Sequence, residues 1–123
     1  MQEVMPWHRV GEVIVVRVLG KDLLREDARE ILRRVVAENP GCNMVLNCEG
    51  IDYISSSSLG AVFSVYRELH RAGRQLILAS LQPSLLEVLQ MVRVDRLFKV
   101  VPDEETALSL LAGAKTSATG AVH

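Results

Sequence analysis

The sequence predicts a single α/β domain: a mixed β-sheet of about five strands flanked by about four helices, in the order ββαβαβαβα. Three observations carry that prediction. Two short apolar runs open the chain as a hairpin. Short apolar runs then alternate with segments whose apolar residues recur every third or fourth position, the pattern of strands joined by crossover helices. No internal repeat or linker breaks the 123 residues, a length that suits one core.

The elements follow in order. VMPWHRV at 4–10 and EVIVVRV at 12–18 read as strands joined by a tight turn at Gly11 and Glu12. Pro6 has no amide proton for a ladder, which assigns the first strand to a sheet edge. Residues 20–24 form a loop. A helix then runs from about Arg25 to Glu38, with Ala28, Ile31, Leu32, Val35 and Val36 on its inner face, and Asn39-Pro40-Gly41 stops it. MVLNC at 44–48 is the third strand. After a serine loop, a second helix reaches about Ala72, with Leu59, Val62, Phe63, Tyr66 and Leu69 as its stripe and Gly73 beyond its end.

QLILA at 75–79 is a short buried strand. Pro83 suits the first turn of a third helix, with Leu85, Leu86, Val88, Leu89 and Val92 facing inward. FKVV at 98–101 is the last strand. Asp103 caps a final helix that carries Glu104 and Glu105 in its first turn and ends before Gly113. The stretch 114–123 lacks periodicity and bulk, so it reads as a disordered tail behind a domain spanning 1–113.

Composition excludes several classes of function. A net charge of −1 creates no field toward nucleic acid or anionic lipid, and 4% aromatic content leaves little for base stacking. No long apolar segment opens the chain, so the expectation is a cytoplasmic protein without membrane insertion. Cys42 and Cys48 lack a CxxC or Cys/His context and read as free thiols of a reducing compartment. No nucleotide-binding glycine loop, HExxH, GxSxG or SxxK occurs, and His8, His70 and His123 are scattered. The expectation is no catalytic residue, no metal and no cofactor, hence no enzyme.

Charged residues give weaker signals. Asp22, Glu49 and Asp52 are loop carboxylates, either simply solvated or placed to meet the metal of an incoming kinase's nucleotide. Arg25, Arg29 and Arg33 repeat along the first helix, where Glu30 and Arg34 have favourable i, i+4 spacing. Arg67, Arg71 and Arg74 gather at the end of the second helix, where positive charge suits the dipole.

The run Ile51–Gly60, IDYISSSSLG, places four consecutive serines where a strand hands over to a helix start. That helix end offers unpaired N–H groups and the positive end of the macrodipole. One serine is enough for a cap, so the others point to modification. A phosphate there adds about −1.5 to −2 charges without disturbing the core.

With these residues in view, the passage from Met44 to Leu108 resembles the STAS domain, and within it the bacterial anti-sigma-factor antagonists. The likeness covers nearly the whole chain before the tail and is strongest around the serines and in VRVDRLFKVVPDEETAL. It implies a helix-flanked sheet and a serine, at the start of the second helix, phosphorylated by an anti-sigma factor that is also an ATP-dependent kinase. The family pattern there is roughly Asp-Ser-Ser-Gly-Leu-Gly. Anchored on Leu59 and Gly60, it places the phosphate on Ser57, with Ser56 and Ser58 as alternates. Ser55 stands where the family has Asp, Ser58 where it has Gly, and Asn47 where Asp is common.

The implied role is an antagonist that binds the anti-sigma factor and releases a sigma factor until phosphorylation switches it off. Asp52, Ser55, Ser56, Ser58, Leu59 and Gly60 form the implied partner-binding surface, and self-association into a homodimer is left open. The alternative is an accessory or scaffold subunit of a lipid-transport ABC system or a signalling assembly.

Overall fold

Runs that are apolar on both faces need cover on both sides, and that requirement organises this chain. The computed structural model describes residues 5–19, 27–51, 53–91, 93 and 99–121. Its elements are β1 (Trp7–Val10), β2 (Val13–Leu19), α1 (Ala28–Glu38), β3 (Asn43–Gly50), α2 (Ser56–Arg71), β4 (Leu76–Ala79), α3 (Pro83–Met91), β5 (Lys99–Val101) and α4 (Glu104–Ala121). The expected order ββαβαβαβα is the observed one.

The five strands lie side by side in sequence order, with β1 antiparallel to β2 and every later pair parallel. Crossovers between parallel strands are right-handed, so strands added successively in one direction send their connecting helices to one face. The core shows this. Ile14, Val16, Val18, Met44, Leu46, Cys48, Leu76 and Leu78 pack under Leu32 and Val35 of α1, Val62 and Val65 of α2, and Leu85 and Leu89 of α3. The opposite face, Val15, Val45, Ile77, Ala79 and Val101, is covered by Ala107 and Leu111 of α4.

At the hairpin, Gly11 takes φ +61°, a conformation that glycine adopts without strain at the first position of a two-residue turn. β1 lies at the sheet edge with all four residues exposed, in keeping with Pro6 just before it. The carbonyl of Pro6 still accepts from the Arg17 amide at 2.9 Å. At the end of α1, Asn39 is buried and its Nδ2 donates to the Val35 carbonyl at 2.8 Å. That bond gives a carbonyl of the last helical turn a side-chain donor.

Several expectations shift. The buried stripe of α2 is Ser58, Ala61, Val62, Val65 and Leu69, while Leu59, Phe63 and Tyr66 are only half-buried at its margin. The five expected apolar positions had set the stripe too far round the helix, because small residues line the side against α1. On α3, Leu85 and Leu89 are buried and Leu86 half-buried, but Val88 is exposed. A short helix on a sheet rim has one covered face and no second layer over the other.

α4 continues through Gly113 to Ala121. The alanines beyond Gly113 are strong helix formers, and one glycine costs a helix only about 1 kcal/mol. Arg25, Glu26, Val92, Phe98 and His123, with the loop at 20–24, lie outside the described residues.

Cys42 and Cys48 are both buried and free. Burial pushes the Cys48 thiol from its ordinary 9.0 up to about 12. The unfolded chain ionises such a thiol near ~8.5, so stability should fall as pH rises from there toward the folded value. An aromatic disulfide reagent at pH 8 should therefore leave both thiols unmodified in the native protein and titrate both in urea. Rapid native labelling of Cys48 would contradict its placement.

Candidate functional site

The serine run sits at the exit of β3. Past Gly50, Ile51 turns back into the core and its amide donates to the Cys48 carbonyl at 3.1 Å. Ile54 packs against the same core, whereas Tyr53 between them stands 60% exposed. The loop is thus pinned by two isoleucines and delivers Ser55 in extended conformation, φ −104° and ψ 171°, as the N-cap of α2.

The four serines do different work. Ser55 Oγ accepts the Ser58 amide at 3.0 Å and lies 3.0 Å from Ser58 Oγ, while the Ser55 carbonyl accepts from the Leu59 amide at 2.9 Å. Ser58 is fully buried. Ser56 and Ser57, the first two helical residues, are exposed, and Leu59 and Gly60 behind them are half-buried. Asp52 lies outside the described residues. Ser55 and Ser58 therefore form a neutral, mutually bonded pair that holds the helix start, and two hydroxyls remain facing outward.

Asn47, one residue before Cys48, points to the α4 side of the sheet and is buried. Its Nδ2 donates to Glu104 Oε2 at 2.6 Å and its Oδ1 accepts from the Glu49 amide at 3.0 Å. Arg17 Nη2 stands 3.8 Å from the same Glu104 oxygen. An amide is the chemistry this spot requires, because a carboxylate at 47 would face the carboxylate at 104. Glu49 itself is exposed, and Asp22 and Asp52 lie outside the described residues, so the acidic grouping expected with it is not described.

Sequence reading missed Glu104 as the partner of Asn47 and Arg17 as the neighbour of Glu104, since no local pattern links positions so far apart. It also missed Arg29 of α1, whose terminal nitrogen lies 3.4 Å from where a side-chain carbon on Gly60 would start. Both contacts exist only once the helices are packed.

A cavity of about 860 Å³ lies between the end of α2, α3 and the β4–β5 edge, lined by Tyr66, His70, Arg74, Leu76, Leu86 and Lys99 among others. His70 stacks on Tyr66 with ring centroids 5.4 Å apart, and Arg74 Nε is buried without a hydrogen-bond partner. Among the described residues, no group of three or more His, Cys, Asp or Glu is arranged to hold a metal, and no helix is long and apolar enough to cross a membrane.

The sequence pattern of the STAS domain matches residues 11–107. The chain belongs to the STAS domain family. Among solved structures, this STAS domain is similar to the anti-sigma-factor antagonist (STAS) domain protein of Planctomyces limnophilus, with a TM-score of 0.74 at 18% identity over 89% of this chain and 99% of that one. It is similar to the anti-sigma factor antagonist SpoIIAA in its unphosphorylated form, with a TM-score of 0.67 at 23% identity over 89% and 99%. The phosphorylated form of SpoIIAA, a Bacillus cell fate determinant, gives 0.66 at 21% over 88% and 99%. At these identities the likeness establishes the fold.

Two outcomes test the STAS site as drawn. Ser55→Ala should cost ~1 kcal/mol in urea unfolding, whereas Ser55→Asp, an equally good cap, should cost clearly less. Equal losses would mean that the cap is not held through the side chain. Asn47→Asp should destabilise the domain by ~1–3 kcal/mol at pH 7 and recover stability as acid protonates one of the facing carboxyls. A loss that does not change with pH would remove Glu104 from the account.

Proposed function

We propose that this STAS domain is an anti-sigma-factor antagonist. Unmodified, it binds an anti-sigma factor that is also a serine kinase and so frees a sigma factor. Phosphorylation of Ser57 ends that binding. It acts in the cytoplasm without catalysis, cofactor or nucleic acid of its own.

One observation carries the choice of residue: Ser57 is exposed at the second position of α2, between a cap built by Ser55 and the buried Ser58 that the cap bonds. Ser55 and Ser58 are occupied in holding the helix, so a kinase reaching this surface meets Ser56 and Ser57. The family pattern, anchored on Leu59 and Gly60, favours the second. The partner surface in this reading is Ser55, Ser56, Leu59 and Gly60; Ser58, expected there from the sequence, is fully buried and would only support that surface from beneath, and Asp52 lies outside the described residues.

The physics of the switch is simple. The helix start accepts a dianion without unfolding, because its orphan N–H groups favour negative charge. A partner seated over that surface must instead bury the charge. An unmatched desolvated charge costs several kcal/mol, which is orders of magnitude in affinity.

Incubation with ATP and the anti-sigma factor kinase of the same organism, followed by mass spectrometry, should place one phosphate on Ser57. Ser57→Asp should weaken binding to that kinase by ~100-fold or more. Ser57→Ala should bind like the unmodified protein and resist switching. Absence of serine phosphate, or unchanged binding of Ser57→Asp, would overturn the proposal.

A further inference from the structure

Arg29 is an exposed cation with an unusual neighbour. Its guanidinium crosses from α1 to α2 and rests in the notch that Gly60 leaves open, 3.4 Å from the position a Cβ would take there. One turn further along α1, Arg33 reaches Glu68 of α2 at 3.5 Å. Arg33 has its carboxylate. Arg29, by contrast, pairs with no carboxylate among the described residues.

The Arg33–Glu68 pair identifies the flank of α2 that faces α1. Counting at i, i+4, i+7 and i+11, that flank is Ser57, Ala61, Ser64 and Glu68. Gly60 follows Ser57 by three residues and Ser56 by four, so both serines border the notch. Helical side chains lean toward the N-terminus, which places the spot occupied by Arg29 over the turn that carries these two serines. Only Ser57 also belongs to the flank facing α1.

We propose that Arg29 is the intramolecular receptor for a phosphate on Ser57. This rests on the reading of Ser57 as the modified residue and adds how the modified state is held. A guanidinium presents a planar fork of donors that matches two phosphate oxygens, and this one is exposed and, among the described residues, has no ion-pair partner to give up. Phosphorylation then ties the first turn of α2 to α1. The modified protein carries a pinned phosphate of reduced net charge instead of a freely rotating dianion. The same geometry favours Ser57 over Ser56, which borders the notch but lies off the flank marked by Ala61, Ser64 and Glu68.

The test installs phosphoserine at 57 during synthesis of the full chain, which bypasses the kinase. Phosphorus NMR then follows the second phosphate ionisation, ordinarily near pH ~6. In otherwise wild-type protein it should lie about 0.5 pH unit below that of the Arg29→Gln variant, with Arg29→Lys between them, because the charge survives but the fork does not. The Arg29 side-chain N–H resonance should shift with the same midpoint. Phosphoserine at 56 should show a weaker dependence on Arg29. Equal phosphate ionisation in the wild-type and Arg29→Gln backgrounds would overturn the proposal, and equal dependence at 56 and 57 would overturn its selectivity. A kinase that fails to modify Ser57 would sink the switch while leaving this measurement intact.

Discussion

Met44, Val45, Leu46, Asn47 and Cys48 leave neither face of β3 open to water, and the rest of the domain is arranged around that strand. Each fully covered aliphatic side chain contributes ~1.5–3 kcal/mol relative to exposure, so a central strand buried on both sides is a strong reason to bring in two helical layers. α1, α2 and α3 supply one and α4 the other. Parallel neighbours on both sides of β3 complete its hydrogen bonds. Buried on both faces and paired on both edges, β3 has no freedom of register, and the point where it leaves the sheet is correspondingly definite.

That point is where the candidate site forms. Asn47, still covered, ties the strand end to Glu104 at the start of α4. A few residues later Ile51 and Ile54 pin the connecting loop to the opposite core, and Ser55 caps α2. One strand exit therefore holds the starts of two helices on the two faces of the sheet. The exposed serines inherit their position from this rigid base, which is how a loop-borne site acquires defined geometry. The neutral Ser55–Ser58 pair does with two hydroxyls what a single acidic cap does elsewhere.

Much of this was legible in the chain. The alternation of short apolar runs with helical periodicity specified the element order, because periods of two and of three to four encode which face of an element is wet. The cap at Asp103 was readable too, and its carboxylate accepts the Thr106 amide at 2.7 Å. The bond from the Thr106 hydroxyl, with that from its amide, holds the Asp103 carboxyl below its ordinary 3.8. The α2 stripe was misjudged at Leu59, Phe63 and Tyr66, since hydrophobicity marks the large residues while close helix approach selects small ones such as Ala61. Val88 was misplaced for a related reason: an apolar side chain on a short rim helix need not find cover.

The residues alone were sufficient to locate the serine run at a helix start and, through family likeness, to propose Ser57 with Ser56 and Ser58 as alternates. They could not say which hydroxyls face outward. All four serines are chemically identical, and only the packed helix distinguishes Ser58, fully buried beneath the cap, from Ser56 and Ser57 on the surface. Nor could they join Arg29 to Gly60 or Asn47 to Glu104. Local periodicity reports the face of an element, whereas contacts between elements depend on how those faces meet, and that is settled by the collective packing of the core.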